Sequence, residues 1–232
     1  MFWCGPFFCA HYFADNYADL TNSGTLTNNG WLTSHGTLDN AGTLINNGVI
    51  SGMGTIHGSL SGSGTIAPGN SRSLSTSSTG TGGLSGSGTI APGNSAGVFT
   101  IDGHLSHDGG GHEIELGGHF NGGGDKSLTE FDWIDVTGNV ELAGLLDVSL
   151  IDGFELHRGD MFDILQVGGT LTGQYDGLGE GALVGNFGGE DLFITYTAGD
   201  GNDVALYTIP EPTTLLLALL ALVAAPLRVR HG

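Results

Sequence analysis

The chain has 232 residues, of which 44 are glycine and only 12% are charged, with a formal net charge of -19. Five Lys and Arg against 24 Asp and Glu exclude a nucleic-acid binder and a protein that docks on anionic lipid. Disorder is excluded as well, because 39% of the residues are apolar and they recur at fixed spacing.

Residues 1–19 form an atypical or truncated N-terminal segment. Met1 to Ala14 has the apolar bulk of an export signal but no Lys or Arg, so the preferred reading places the true start upstream. Cys4 and Cys9 are the two cysteines of the chain. They can close a small loop in an oxidising compartment or stay reduced; a zinc site would need more ligands.

An internal period governs residues 20–97. Leu20, Leu26, Leu32, Leu38, Leu44, Ile50 and Ile56 recur every six residues, and Gly24, Gly30, Gly36, Gly42, Gly48 and Gly54 keep the same beat. A period of six does not fit a helix, and a glycine in every unit would cost a helix roughly 1 kcal/mol each. Thr25-Leu26-Thr27 reads as a short strand with Leu inward and β-branched Thr outward. Asn22, Asn28, Asn40 and Asn46 with the following glycines read as corners, since both residue types tolerate positive φ. One large side chain per unit cannot support a fold alone, so the units must stack, and a β-solenoid does this. With three units per coil, residues 20–57 make two coils and the asparagines stack in ladders. Further on, Leu60 to Ser71 recurs unchanged as Leu84 to Ser95. Arg72 to Gly83 between the copies is a looser excursion or a duplicated coil. Pro68-Gly-Asn70 and Pro92-Gly-Asn94 are turns that end strands.

Over residues 98–208 alternation replaces the hexad. Phe99, Ile101 and Leu105 share a face, Asp108 to Gly111 turns the chain, and Ile114 and Leu116 alternate with Glu113 and Glu115. This predicts a hairpin. Further strands are predicted over 133–137, 140–150, 161–167, 192–197 and 204–208, giving an antiparallel β-domain that packs on or caps the solenoid end. The run from Gly86 to Gly103 resembles the closing segment of autotransporter-associated β-strand and similar PEP-CTERM surface proteins. Phe131 to Gly138, Gly144 to Phe154, Gly159 to Leu165 and Gly201 to Leu206 resemble the C-terminal body of the same proteins. That resemblance implies an extracellular, adhesin-like β-protein and names no ligand.

The tail, residues 209–232, differs from everything before it. Pro210-Glu211-Pro212 is followed by an apolar run from Leu215 to Ala225 and then by Arg228 and Arg230. A turn, an apolar run and a basic end have the order of a bilayer segment with its charged end in the cytoplasm. From Thr213 to Leu227 a helix would span about 22 Å against a hydrocarbon core of about 30 Å. The tail resembles the PEP-CTERM sorting domain recognised by the membrane protease-transpeptidase exosortase. The resemblance implies export, transient inner-membrane anchoring through 213–227, cleavage near Pro-Glu-Pro, and delivery to the cell surface or extracellular matrix.

Three chemistries bear on function. His104, His107, Asp108, His112, Glu113 and His119 form the densest group of potential ligands, with His107 and His112 able to face each other across the predicted hairpin, but their spacing matches no metal signature. Ala198-Gly-Asp-Gly-Asn-Asp203 resembles one nonapeptide of a calcium β-roll, in a single copy. A glycan-degrading β-helix would need converging carboxylates, yet Asp39 is the only one between Leu20 and Gly97. No catalytic residue, resident metal or cofactor is assigned. The expectation is an all-β, non-enzymatic, adhesin-like structural protein with exosortase as partner and exopolysaccharide or cell-surface components as further candidates. The alternatives are a carbohydrate- or calcium-binding adhesin and, third, a glycan-degrading enzyme.

Overall fold

A computed structural model of the chain describes residues 13–17, 19–52, 54–68, 75–77, 83–92, 96–123 and 125–210. Cys4, Cys9, Glu211, Pro212, Arg228, Arg230 and the apolar run 213–227 lie outside the described residues. Of the sorting motif, Pro210 is described, and it is exposed. Among the described residues no helix is long and apolar enough to cross a membrane.

The described chain is all β, arranged as three sheets of eight, ten and seven strands. Consecutive hexads fall on consecutive faces: Thr25–Asn28 on the third, Trp31–Ser34 on the first, Thr37–Asn40 on the second. Each strand pairs in parallel with the one a full coil away, so Leu26 lies over Leu44, Leu32 over Ile50 and Leu38 over Ile56. The coil of the regular region is therefore 18 residues, three hexads. Period-two alternation sends Leu32, Leu38, Leu44, Ile50 and Ile56 inward, where they are almost fully buried, and turns Thr33 and Thr37 outward.

The asparagines act differently from the sequence expectation. Asn28, Asn40 and Asn46 are the fourth residues of their strands and are buried, Asn22 ends the three-residue strand Leu20–Asn22, and among the described residues the only non-glycine with positive φ is Asp152. Asn28 Nδ2 donates to Asn46 Oδ1 at 2.8 Å, and Asn22 Nδ2 donates to Asn40 Oδ1 at 2.7 Å. Asn46 Nδ2 passes the ladder on to the Thr65 carbonyl at 3.0 Å, and its Oδ1 also accepts from the Gly48 amide at 3.3 Å. Asn46 thus satisfies polar groups at a buried corner that an aliphatic side chain would leave unpaired. Replacing Asn46 with Ala is expected to lower stability by about 2 kcal/mol, read as a shift in the urea midpoint at unchanged slope.

The parallel stack continues well beyond residue 97. Ser75–Ser77 lies between Thr55–His57 and Val98–Asp102 on the second face, so the Ser/Thr-rich excursion contributes a strand of its own coil. The predicted hairpin over 99–116 is not formed. His104–His107 is on the third face and Gly111–Asn121 on the first, and Asp108 to Gly110 is a solenoid corner between them. Gly111–Asn121 runs parallel to Thr89–Ile90 on one side and to Leu145–Leu150 on the other. The same holds for Val98–Asp102 with Trp133–Val136, and for Val140–Leu142 with Leu171–Gly173. Alternation records which side of a strand is buried, not the direction of its neighbour, so it fits both senses. Antiparallel pairing in the described residues is confined to Thr129–Phe131 against Gly111–Asn121 and to the end of the second face. There Met161–Val167 is followed by Asp203–Thr208, Glu190–Ala198 and Leu183–Phe187. Phe162, Leu192, Ile194, Val204 and Leu206 carry the core into this last ribbon.

Candidate functional site

Apart from the asparagine ladder, two buried polar clusters break the apolar interior. The first lies where the first face meets the third. Register sets His112 directly over Ile90, in the column that runs through Leu32, Ile50 and Ile66, and places Leu146 next. A fully buried imidazole therefore occupies an aliphatic position. Its Nδ1 is 2.6 Å from the Tyr175 hydroxyl, while its Nε2 has no hydrogen-bond partner. Burial, reinforced by neighbouring His107, holds the His112 pKa well below its ordinary value, and burial raises that of the Tyr175 hydroxyl. Both shifts favour the neutral ring and the protonated phenol. His107, 4.7 Å from His112 between ring centroids, spans two coils, with Nδ1 2.9 Å from the Ala143 carbonyl and Nε2 2.8 Å from the Gly88 carbonyl.

The other members of the sequence cluster are dispersed. His104 Nδ1 accepts from the Asn139 amide at 2.9 Å, and His119 Nε2 lies 2.9 Å from Asp160 Oδ1 while its ring stacks on Phe162. Asp108 and Glu113 are exposed. Only His107 and His112 are brought together, and their nitrogens face backbone carbonyls and a phenol. Among the described residues no three His, Cys, Asp or Glu side chains are placed to hold a metal ion. The calcium-roll-like segment is likewise engaged within the protein. Asn202 Nδ2 donates to the Val167 and Gly169 carbonyls, and Asp203 Oδ1 accepts from the Val167 amide at 2.7 Å. These two side chains fasten the 198–203 turn to the parallel stack.

The second cluster centres on Asp132, which sequence reasoning did not single out. Its signal was a carboxylate flanked by Phe131 and Trp133, both of which are buried. Asp132 is 1% exposed; Oδ1 accepts from the Gly97 amide at 2.6 Å and Oδ2 from the Glu115 amide at 3.0 Å. One carboxylate thus ties together the entry to Val98–Asp102 and the middle of Gly111–Asn121. Burial pushes its pKa up to about 8, against the pull of the two amide donors, with Glu115 adding to the rise. Beside it is a cavity of ≈ 100 Å³ lined by Glu113, Glu115, Asp147 and Ser149. Register explains the gathering of acids, since Glu113 stacks on Asp147 and Glu115 on Ser149.

Comparison with known proteins adds no family: no protein-family model matches the chain, and no curated protein is significantly similar to it.

Proposed function

We propose that the protein is a non-enzymatic, exported surface or extracellular-matrix component, sorted by exosortase through Pro210-Glu211-Pro212. The observation that carries this reading is the order of the tail, with Pro-Glu-Pro, an apolar run and Arg228 and Arg230 following directly on the β-body. The apolar segment 213–227 holds the chain transiently in the inner membrane, and cleavage near Pro-Glu-Pro releases the body to the cell surface or matrix. Two features support the reading. The last strand among the described residues ends at Thr208, and Ile209 and Pro210 after it are exposed, so a protease can approach the start of the motif. The buried polar side chains Asn28, Asn46, His107 and Asp132 join one stretch of backbone to another, which suits a structural role.

Intact-mass analysis of the surface fraction from cells with active exosortase tests the proposal. The expected species has lost the residues beyond the Pro-Glu-Pro region, and Pro210→Ala combined with Pro212→Ala is expected to leave the full-length chain in the membrane fraction. Surface-exposed protein that still carries residues 215–232 would overturn the cleavage step.

A further inference from the structure

The outer side of the first face carries an aromatic shelf over its first coils. Trp31 and Thr33 point outward from the strand Trp31–Ser34, because Leu32 and Ser34 are buried, and half-buried His35 follows at the corner. Trp31 is 52% exposed. Tyr17 is 76% exposed and stacks on the His35 ring, at 4.6 Å between centroids and 18° between planes. His35 follows Trp31 by four residues, in the corner just after the strand Trp31–Ser34, so the two positions are at most about 13 Å apart at about 3.3 Å per residue. Between them lie hydroxyls: Thr33 Oγ1 is 3.3 Å from Ser51 Oγ on the next strand. Asp15 is paired with Thr33 on the preceding strand and is exposed.

Flat apolar rings at both ends of a short polar floor suit one ligand chemistry. Sugar rings present C–H faces that pack on aromatic rings and hydroxyls that exchange hydrogen bonds with Thr, Ser and carboxylate groups. Tyr and Trp supply this area at low conformational cost. The shelf is an open sheet surface, so its occupant is an extended chain contacting several points and not a small molecule enclosed in a pocket. Charge selects the kind of chain. A protein of net charge -19 with an exposed carboxylate on the shelf disfavours a polyanion, and the hydroxyl floor disfavours a purely apolar partner. We propose that this face binds a neutral polysaccharide, with Trp31 and the Tyr17–His35 stack as its two platforms.

Affinity electrophoresis of the full-length chain in gels containing hydroxyethyl cellulose, dextran or alginate tests the proposal. At least one neutral polymer is expected to retard the protein, and the acidic alginate is not. Trp31→Ala and Tyr17→Ala are each expected to weaken retardation by at least about tenfold in dissociation constant, while Trp31→Phe stays within about threefold of the parent. Leu145→Ala, at an exposed site on the same face several coils away, is expected to leave binding unchanged. Circular dichroism melting identifies any variant that fails to fold, and Trp31→Leu and Tyr17→Leu, which keep apolar bulk without an aromatic face and are expected to weaken retardation as the alanine changes do, then carry the comparison. No retardation by either neutral polymer, equal retardation by alginate, or unchanged retardation in folded Trp31→Ala and Tyr17→Ala would each overturn the assignment. The assay is indifferent to processing of the tail, so this proposal and the sorting proposal fail separately.

Discussion

Gly42→Ala is expected to destabilise the protein by about 3–5 kcal/mol, whereas Gly24→Ala, at the equivalent corner one coil earlier, is expected to stay within about 0.5 kcal/mol. Neither residue is among the positive-φ glycines, so backbone strain does not separate them. What separates them is the coil in front. A Cβ on Gly42 would fall inside the contact radius of the Gly24 carbonyl oxygen, and of Gly24 backbone atoms behind it. A Cβ on Gly24 meets nothing within 4 Å. Relief at Gly42 would have to move backbone that is itself held by the bonds from the Gly42 amide to Asn22 and from the Thr43 amide to Gly24. Urea unfolding of the two variants measures the difference. Equal effects would show that the corners open enough to admit a methyl group, against the packing described.

A second large effect is expected from pH, and two buried groups set it with opposite signs. His112 has a folded pKa well below its ordinary value near 6.5, so the unfolded chain binds a proton that the folded one refuses. Its contribution is complete above about pH 6.5 and is lost as pH falls, by about 1.4 kcal/mol per unit until the folded pKa is reached. Asp132 is the reverse case. Its folded pKa of about 8 lies above the unfolded value near 3.9, so its contribution is complete below about pH 4 and is lost as pH rises to about 8. From about pH 6.5 down to the folded pKa of His112 the two slopes oppose each other. Above that window only the carboxylate slope remains, and burial raises the pKa values of Glu115, Asp163 and Asp203 in the same direction. The melting temperature is therefore expected to be highest on the acid side of neutrality and to fall toward pH 8. His112→Leu should remove the opposing slope, so that stability declines from about pH 4 onward. Asp132→Asn should flatten the alkaline decline while lowering stability on the acid side, because its amide nitrogen meets one of the two backbone donors. A melting curve in His112→Leu that tracks the parent at every pH would remove His112 from the account.

Much of this architecture could be read from the hexad. Leu26, Leu32, Leu38 and Leu44 at six-residue spacing specify one inward side chain per face, and they give the stacked columns found in the fold. The stacking of the asparagines was legible too, since identical residues at the same place in each unit come into register. The reason for the glycines was not. Positive φ and close approach both call for a residue without a side chain, and only the neighbouring coil distinguishes them at Gly42. Strand direction between Phe99 and Leu116 was equally hidden, because what decides it is how far away the partner strands lie. Leu105 pairs with Val140, and Ile114 with Val148. The polar interior was least legible. His112 read as one of a group of potential ligands at a hairpin, and Asp132 drew no notice, because each is defined by residues distant in the chain: Tyr175 for one, Gly97 and Glu115 for the other.

The stacked columns also make the protein a ruler. Ile56 stands 18 residues from Leu38, while Leu84 stands 24 from Leu60 and Val140 stands 35 from Leu105, yet each pair sits one strand apart. Physical advance along the axis is thus counted in coils, at about 4.8 Å each, whatever length of chain the corners absorb. The seven strands of the third face set an extent of about 29 Å from first to last. Inserting one 18-residue unit in phase would extend this reach by a single step and leave every other column in register. Inserting the same residues at a corner would add a loop and no length.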